Sequence, residues 1–154
     1  MSSGASDMLR LLLDEHIAGE VALQARTKCP SMEIQSIHDW ESGAFLGVPD
    51  PEILLEAANQ RLTLVTYDQR TLWKHAADLL EAGRDLGGVI FVDDQTIPPN
   101  DIGGLMRALV WLWETKRNED WRNRLIFLTP GPAMPDRSEK PQSSKSRKPK
   151  SWER

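Results

Sequence analysis

Apolar residues in this chain fall into short unbroken runs separated by stretches with helical spacing. The first run, Leu9 to Leu13, is interrupted only by Arg10 and stops at two adjacent acids, Asp14 and Glu15. Runs of this length without strict alternation are what a strand covered on both faces needs, as in a parallel sheet. Ile17, Val21 and Ala25 follow at four-residue spacing, which predicts an amphipathic helix stopped by Pro30. EIQSIHD then reads as a short strand with Ile34 and Ile37 on one side. After the loop WESGAFLGVP, the segment DPEILLEAANQR carries the strongest helix start in the chain, with Asp50 as N-cap, Pro51 at the first helical position and Ile53, Leu54, Ala57 and Ala58 on one face.

The second half repeats the alternation. LTLVTYD is a β-branched strand, and QRTLWKHAADLLEAG a helix with Leu72, Ala76, Leu79 and Leu80 inward and Gly83 past its end. GGVIFVDD predicts a fourth strand, again ending in acids, Asp93 and Asp94. A long helix follows, with Ile102, Leu105, Met106, Leu109 and Trp113 as its inward stripe, and RLIFLTP closes the pattern as a fifth strand ended by Pro130. Strands alternating with helices, joined by connections too long for hairpins, predict an α/β fold: a three-layer α/β/α sandwich around a mainly parallel five-stranded sheet.

Composition sharpens this picture in four ways. The 154 residues suit one domain, expected over 8–132. Cys29 is the single cysteine, which excludes a disulfide framework and a cysteine-rich zinc site and suits a reducing compartment. With no window approaching the roughly 20 apolar residues of a membrane span and no signal-peptide pattern at the start, a cytoplasmic protein without membrane association is expected. The formal charge of −4 is unevenly spread: residues 1–135 hold 12 Lys and Arg against 20 Asp and Glu, residues 136–154 hold 7 against 3. The segment 133–154, rich in Ser, Lys, Arg and Pro, reads as a disordered basic tail, either a weak nucleic-acid attractor or a solvated extension.

Candidate chemistry lies in the acids that end the strands. In a parallel sheet with right-handed crossovers the carboxyl ends of the strands share one edge, so Asp14 and Asp68 can meet in one cleft, and the start of the helix carrying Asp50 and Glu52 can join them. Converging carboxylates repel unless a cation neutralises them. Oxygen-only donors suit Mg²⁺ or Mn²⁺, whereas zinc would want His or Cys at ligand spacing, which His16, His38 and His75 do not provide. Each acid also has a structural reading. Asp50 and Asp68 can cap helices, Asp14 and Glu15 precede one, and Asp93 and Asp94 read as turn residues.

LLLDEH, GVPDPEILLEAANQRLTLVTYDQRT, GGVIFVDD and NEDWRNRLIFLTP, in that order, resemble a compact PIN-like family related to VapC-type toxin nucleases, over about residues 8 to 130. The resemblance implies a Mg²⁺- or Mn²⁺-dependent ribonuclease that hydrolyses RNA phosphodiesters, the toxin of a toxin–antitoxin pair held in check by an antitoxin protein. By the same resemblance Asp14 stands for the first-strand acid, Asp68 for the acid of the T-x-D motif, and Asp50 and Glu52 for the acids of the middle helix. Asp14, Asp50 and Asp68 are then the catalytic metal ligands, with Glu15 and Glu52 as further metal ligands. Larger PIN nucleases carry another acid soon after the T-x-D aspartate, where Gln69, Arg70 and Thr71 stand here. That departure keeps open a catalytically silent module that binds protein or RNA. A receiver-like phosphoacceptor domain is a further rival, although it would need a lysine after the last strand, where LTPGP is found.

Several side chains remain to be placed. Arg70 is expected to pair with a neighbouring carboxylate, a phosphate contact being the alternative. Trp40 and Phe45 are expected to pin the loop before Asp50, Trp121 to pack a helix end on the last strand, and Trp73 to be structural. Trp111, half a turn out of phase with the inward stripe, points to an outer face and a possible homodimer surface.

Overall fold

A computed structural model describes residues 8–130, so the expected tail lies outside the described residues. The predicted alternation is present as β1 (Arg10–Leu13), α1 (Gly19–Lys28), β2 (Glu33–Ser36), α2 (Asp50–Asn59), β3 (Thr63–Thr66), α3 (Thr71–Glu81), β4 (Val89–Phe91), α4 (Ile102–Lys116) and β5 (Leu125–Phe127), with a 3-10 turn at Trp40–Gly43. The strands form one sheet in the order β2-β1-β3-β4-β5, and every pair is parallel.

Two cores explain why the strand runs lack polar positions. Neighbouring residues of a strand face opposite sides, and here both sides are covered. Leu11, Leu13, Val65, Ile90 and Val92 pack under α1 and α4, while Leu12, Leu64, Val89 and Phe91 pack under α2 and α3. The fold is therefore an α/β/α sandwich, with the sheet wholly parallel. Among the described residues no helix is long and apolar enough to cross a membrane.

The order reverses beside β1. From β1 the chain crosses to β2 at one edge, then returns to pair β3 on the other side of β1. Doubly wound sheets with this order bind ligands at the carboxyl ends of the strands flanking such a reversal. Asp14 directly follows β1, and Asp68 lies two residues past β3.

Three local expectations are corrected. Ile34 and Ile37 do not share a side: β2 ends at Ser36, Ile34 joins the α1/α4 core, and Ile37, in the turn beyond the strand, joins the α2/α3 core. Helix α2 starts one residue earlier than expected, with Pro49 as its N-cap, Asp50 as its first residue and no side-chain cap hydrogen bond. Trp111 is half-buried and packs against the α1/α4 core, because α4 also buries Ala108, Val110 and Leu112, a wider face than the predicted stripe.

The glycines that introduce β4 are required by close approach. A Cβ on Gly87 would run into the Leu62 carbonyl, and one on Gly88 into the Trp121 carbonyl; Gly88 also holds φ +100, which L side chains rarely adopt. Gly88→Ala is expected to lower stability by more than about 1 kcal/mol, read as the shift in the chemical-denaturation midpoint at an unchanged slope.

Candidate functional site

The carboxyl rim of the sheet is assembled from four chain segments. The backbone N–H of Asp14 donates to the Val65 carbonyl (2.9 Å), extending the β1/β3 pairing by one step beyond the strand. Thr66, the last residue of β3, is fully buried, and its hydroxyl bridges the two acids. It donates to Asp14 Oδ2 (2.7 Å) and accepts from the Asp68 backbone N–H (3.0 Å). A buried hydroxyl without partners would be costly, and this one has both. Asp14 Oδ1 accepts from the Glu15 backbone N–H (2.7 Å), so the Asp14 carboxylate is oriented from two sides.

Glu15 ties the rim to the loop ahead of α2. Its Oε1 accepts from the Gly47 N–H (3.3 Å), and its carbonyl accepts from His38 Nε2 (3.0 Å), which is thereby the protonated ring nitrogen. That loop is anchored below by Trp40, 2% exposed, stacked on Phe45 at 4.6 Å and donating to Gln60 Oε1 (3.1 Å). Gln60 in turn donates to Glu41 Oε2 (3.0 Å) and Glu56 Oε2 (2.8 Å). The expected pinning role of Trp40 and Phe45 is what the structure displays. Trp121 is likewise buried at the end of α4, donating to the Lys116 carbonyl (3.0 Å) under the Arg124 guanidinium.

A helix that follows a parallel strand begins at the carboxyl rim, which delivers Asp50 to the same place. Among the described residues nothing donates a hydrogen bond to its half-buried carboxylate, so the capping role open to it from sequence is not taken up. Burial raises its pKa above the usual carboxylate value. The charges of Asp14, Asp68 and Glu15 raise it further, and His75, reaching in from α3, acts against them. The predicted convergence of Asp14, Glu15, Asp50 and Asp68 is thus expressed in the field at Asp50. Glu52 is exposed on α2 and is not among the charges acting there.

Asp68 combines two roles, its Oδ1 accepting from the Thr71 N–H (3.0 Å) at the start of α3. Asp93 is a turn residue, accepting from the Gln95 N–H and the Thr96 hydroxyl. Tyr67 points away to donate to the Ile97 carbonyl (2.8 Å), and burial with Asp101 and Asp94 nearby pushes its hydroxyl up to about 12. Arg70 is exposed and forms no ion pair among the described residues, contrary to the expected pairing with a carboxylate. Trp73 is 41% exposed rather than wholly structural.

Two residues here were not singled out as site residues from sequence. Thr66 had a signal, a threonine ending an unbroken buried strand two positions before an acid. His75 had none, since its approach to Asp50 depends on how α3 packs beside α2.

The donor set is chemically suited to a hard divalent cation: all oxygen, crowded, and mutually repelling. Among the described residues no group of three or more His, Cys, Asp or Glu side chains is placed to hold a metal ion. Mg²⁺ is commonly held by one or two carboxylates completed by water and substrate phosphate rather than by a protein cage, so an open arrangement of this kind fits it.

Two outcomes follow from the site. Thr66→Val keeps the side-chain shape and strands both the Asp14 oxygen and the Asp68 N–H, so it is expected to cost about 1–3 kcal/mol by denaturant titration. For Asp50 the folded-state pKa lies above the ordinary aspartate value of 3.8. The folded state therefore holds this proton more tightly, and the group costs stability as pH rises through the window from 3.8 to its raised pKa. Asp50→Asn is expected to melt higher than the parent at neutral pH, with the advantage vanishing once pH falls below 3.8, as read from thermal unfolding across pH.

Comparison with known protein families, with characterised proteins and with solved structures returns no match for this chain.

Proposed function

We propose that this protein is a Mg²⁺- or Mn²⁺-dependent ribonuclease of PIN type that hydrolyses RNA phosphodiesters. The observation that supports it best is the Thr66 hydroxyl joining Asp14 and Asp68 at the order reversal of the sheet, with Asp50 inside the field of both. In this reading Asp14, Asp50 and Asp68 hold the metal, and Glu15 lies beside them. When bound, a divalent cation there supplies a hydroxide nucleophile at neutral pH and a counter-charge for the leaving oxygen. Thr66 fixes the angle of the Asp14 carboxylate. Glu15, through Gly47 and His38, holds the loop that leads to Asp50. His75, on α3, lies near enough to act on the Asp50 carboxylate against the surrounding acids. A bound cation would offset the repulsion between the rim carboxylates and the RNA phosphate placed directly at them. The finer suggestion of a toxin restrained by an antitoxin rests on the sequence resemblance to VapC-type proteins alone, and that of a cytoplasmic location on the single cysteine and the absence of a signal-peptide pattern.

The strand order supports a second reading. Doubly wound sheets of order 2-1-3-4-5 include receiver-type domains, which place an Asp-Glu pair after the first strand and an Asp after the third, as Asp14, Glu15 and Asp68 stand here. Against it, Leu128, Thr129 and Pro130 follow β5 where that chemistry needs a lysine.

One experiment separates these readings. Purified protein and the double variant Asp14→Asn, Asp68→Asn are incubated with single-stranded RNA and Mn²⁺, and separately with a small phosphodonor. Cleavage by the parent and a loss of at least about 100-fold in the variant is the expected outcome, since a metal-held hydroxide is worth several kcal/mol of barrier. Manganese binding without cleavage would leave a silent binding module, and a stable phosphoaspartate would establish the receiver reading instead.

A further inference from the structure

The carboxyl rim carries a feature that the acids do not account for. Trp73, 41% exposed, and Phe127, 48% exposed, flank the buried ring of Phe91, with ring centroids 5.2 Å and 5.7 Å from it. Each belongs to the rim. Phe91 and Phe127 are the last residues of β4 and β5, and Trp73 lies in the first turn of α3, just past Asp68. Adjacent strands are about 4.8 Å apart, so this aromatic row begins roughly one strand spacing beyond the end of β3, on the side away from β1. The rings are exposed because α2 and α3 are the helices on this face, and nothing described covers β5 there.

The row also has a cation beside it. Arg70 is the N-cap of α3 with a helical backbone (φ −91, ψ −62), so it stands one turn before Trp73 on the same side of the helix. It is exposed and makes no ion pair among the described residues, whereas the nearby Lys74 is paired with Asp78 at 3.3 Å.

We propose that Arg70, Trp73 and Phe127 form a subsite for single-stranded RNA, in which unpaired bases stack on the two exposed rings and the neighbouring phosphate meets the Arg70 guanidinium. This deepens the ribonuclease reading and rests on it. Three observations favour RNA over a protein occupant. The exposed groups are aromatic rather than aliphatic, which suits flat bases of any identity. A lone guanidinium sits within one helical turn, as a sugar-phosphate backbone requires. Two rings of about 150–250 Å² each fall far short of the roughly 1,200–2,000 Å² that a stable protein interface buries. The subsite also specifies the substrate form: in a duplex the base faces are stacked inside, so only splayed-out bases can occupy it.

The test uses the full chain with a fluorescent mixed-sequence RNA oligonucleotide, single-stranded or annealed to its complement, at low salt with a chelator present so that affinity is read without cleavage. Trp73→Ala is expected to weaken single-strand binding by about tenfold, Trp73→Phe to restore most of it, and the duplex to bind weakly to all three. Arg70→Gln is expected to flatten the salt dependence by about 0.7 in the log–log slope, the loss of one phosphate contact on a single strand. Circular dichroism verifies that each variant is folded. Parent protein that binds the duplex as tightly as the single strand, or does not bind the single strand, overturns the proposal. So does Trp73→Ala with unchanged affinity. A dimer that Trp73→Ala dissolves while RNA affinity stays constant assigns the patch to contacts between copies and also overturns it. Cleavage by the parent with a KM unchanged in Trp73→Ala removes the subsite and leaves the nuclease reading standing. Cleavage that survives Asp14→Asn and Asp68→Asn removes the metal-site reading without touching the stacking result.

Discussion

The parallel pairing of β1 with β3 is the constraint from which the rim is built. Leu13 and Val65 are register partners with no exposed surface, and one step further the Asp14 N–H still donates to the Val65 carbonyl. Because that pairing continues past the last leucine, the first acid leaves the sheet at the level of Thr66, and the Thr66 hydroxyl can reach it. Had β2 and β3 followed β1 on the same side, no crevice would open between the segments leaving β1 and β3. The reversal makes a place where two acids emerge next to each other with helices departing to opposite faces.

Holding carboxylates together has an electrostatic cost, and the structure offsets it unevenly. The Asp14 carboxylate accepts two hydrogen bonds and that of Asp68 accepts one from the start of α3. Asp50 accepts none among the described residues, and burial first, then the neighbouring acids, raise its pKa. A stable core elsewhere supports this: the sheet is covered on both faces, and the loop leading to Asp50 is pinned by the buried Trp40 even though Glu41 and Ser42 hold positive φ values of 50 and 56.

Much of this was readable along the chain. The leucine run before Asp14, the β-branched run before Asp68 and the Pro-flanked start at Asp50 identify elements whose direction then places their ends. Readings failed where neighbouring elements decide the outcome. Arg70 was expected to find a carboxylate, yet at the start of α3 it forms no ion pair among the described residues. Trp73 was read as structural; it does pack on Phe91, but among the described residues nothing covers the rest of the ring. Trp111 was read as outward because an ideal stripe was assumed, whereas α1 and α4 bury a wider surface. The contribution of His75 had no signal, since it arises between two helices that are distant in sequence.

Local pattern is enough to specify a strand, a helix start or a chain break, because those depend on residues a few positions apart: burial on two faces, a proline-compatible first turn, a glycine where a Cβ cannot fit. The alternation of elements and the presence of acids at strand ends were therefore settled by the amino-acid order. Which acids share a crevice depended on the side of β1 at which β3 pairs, a long-range choice made by packing two cores at once. The same packing left Trp73 and Phe127 uncovered and brought His75 to Asp50, because exposure and field are properties of neighbours in space.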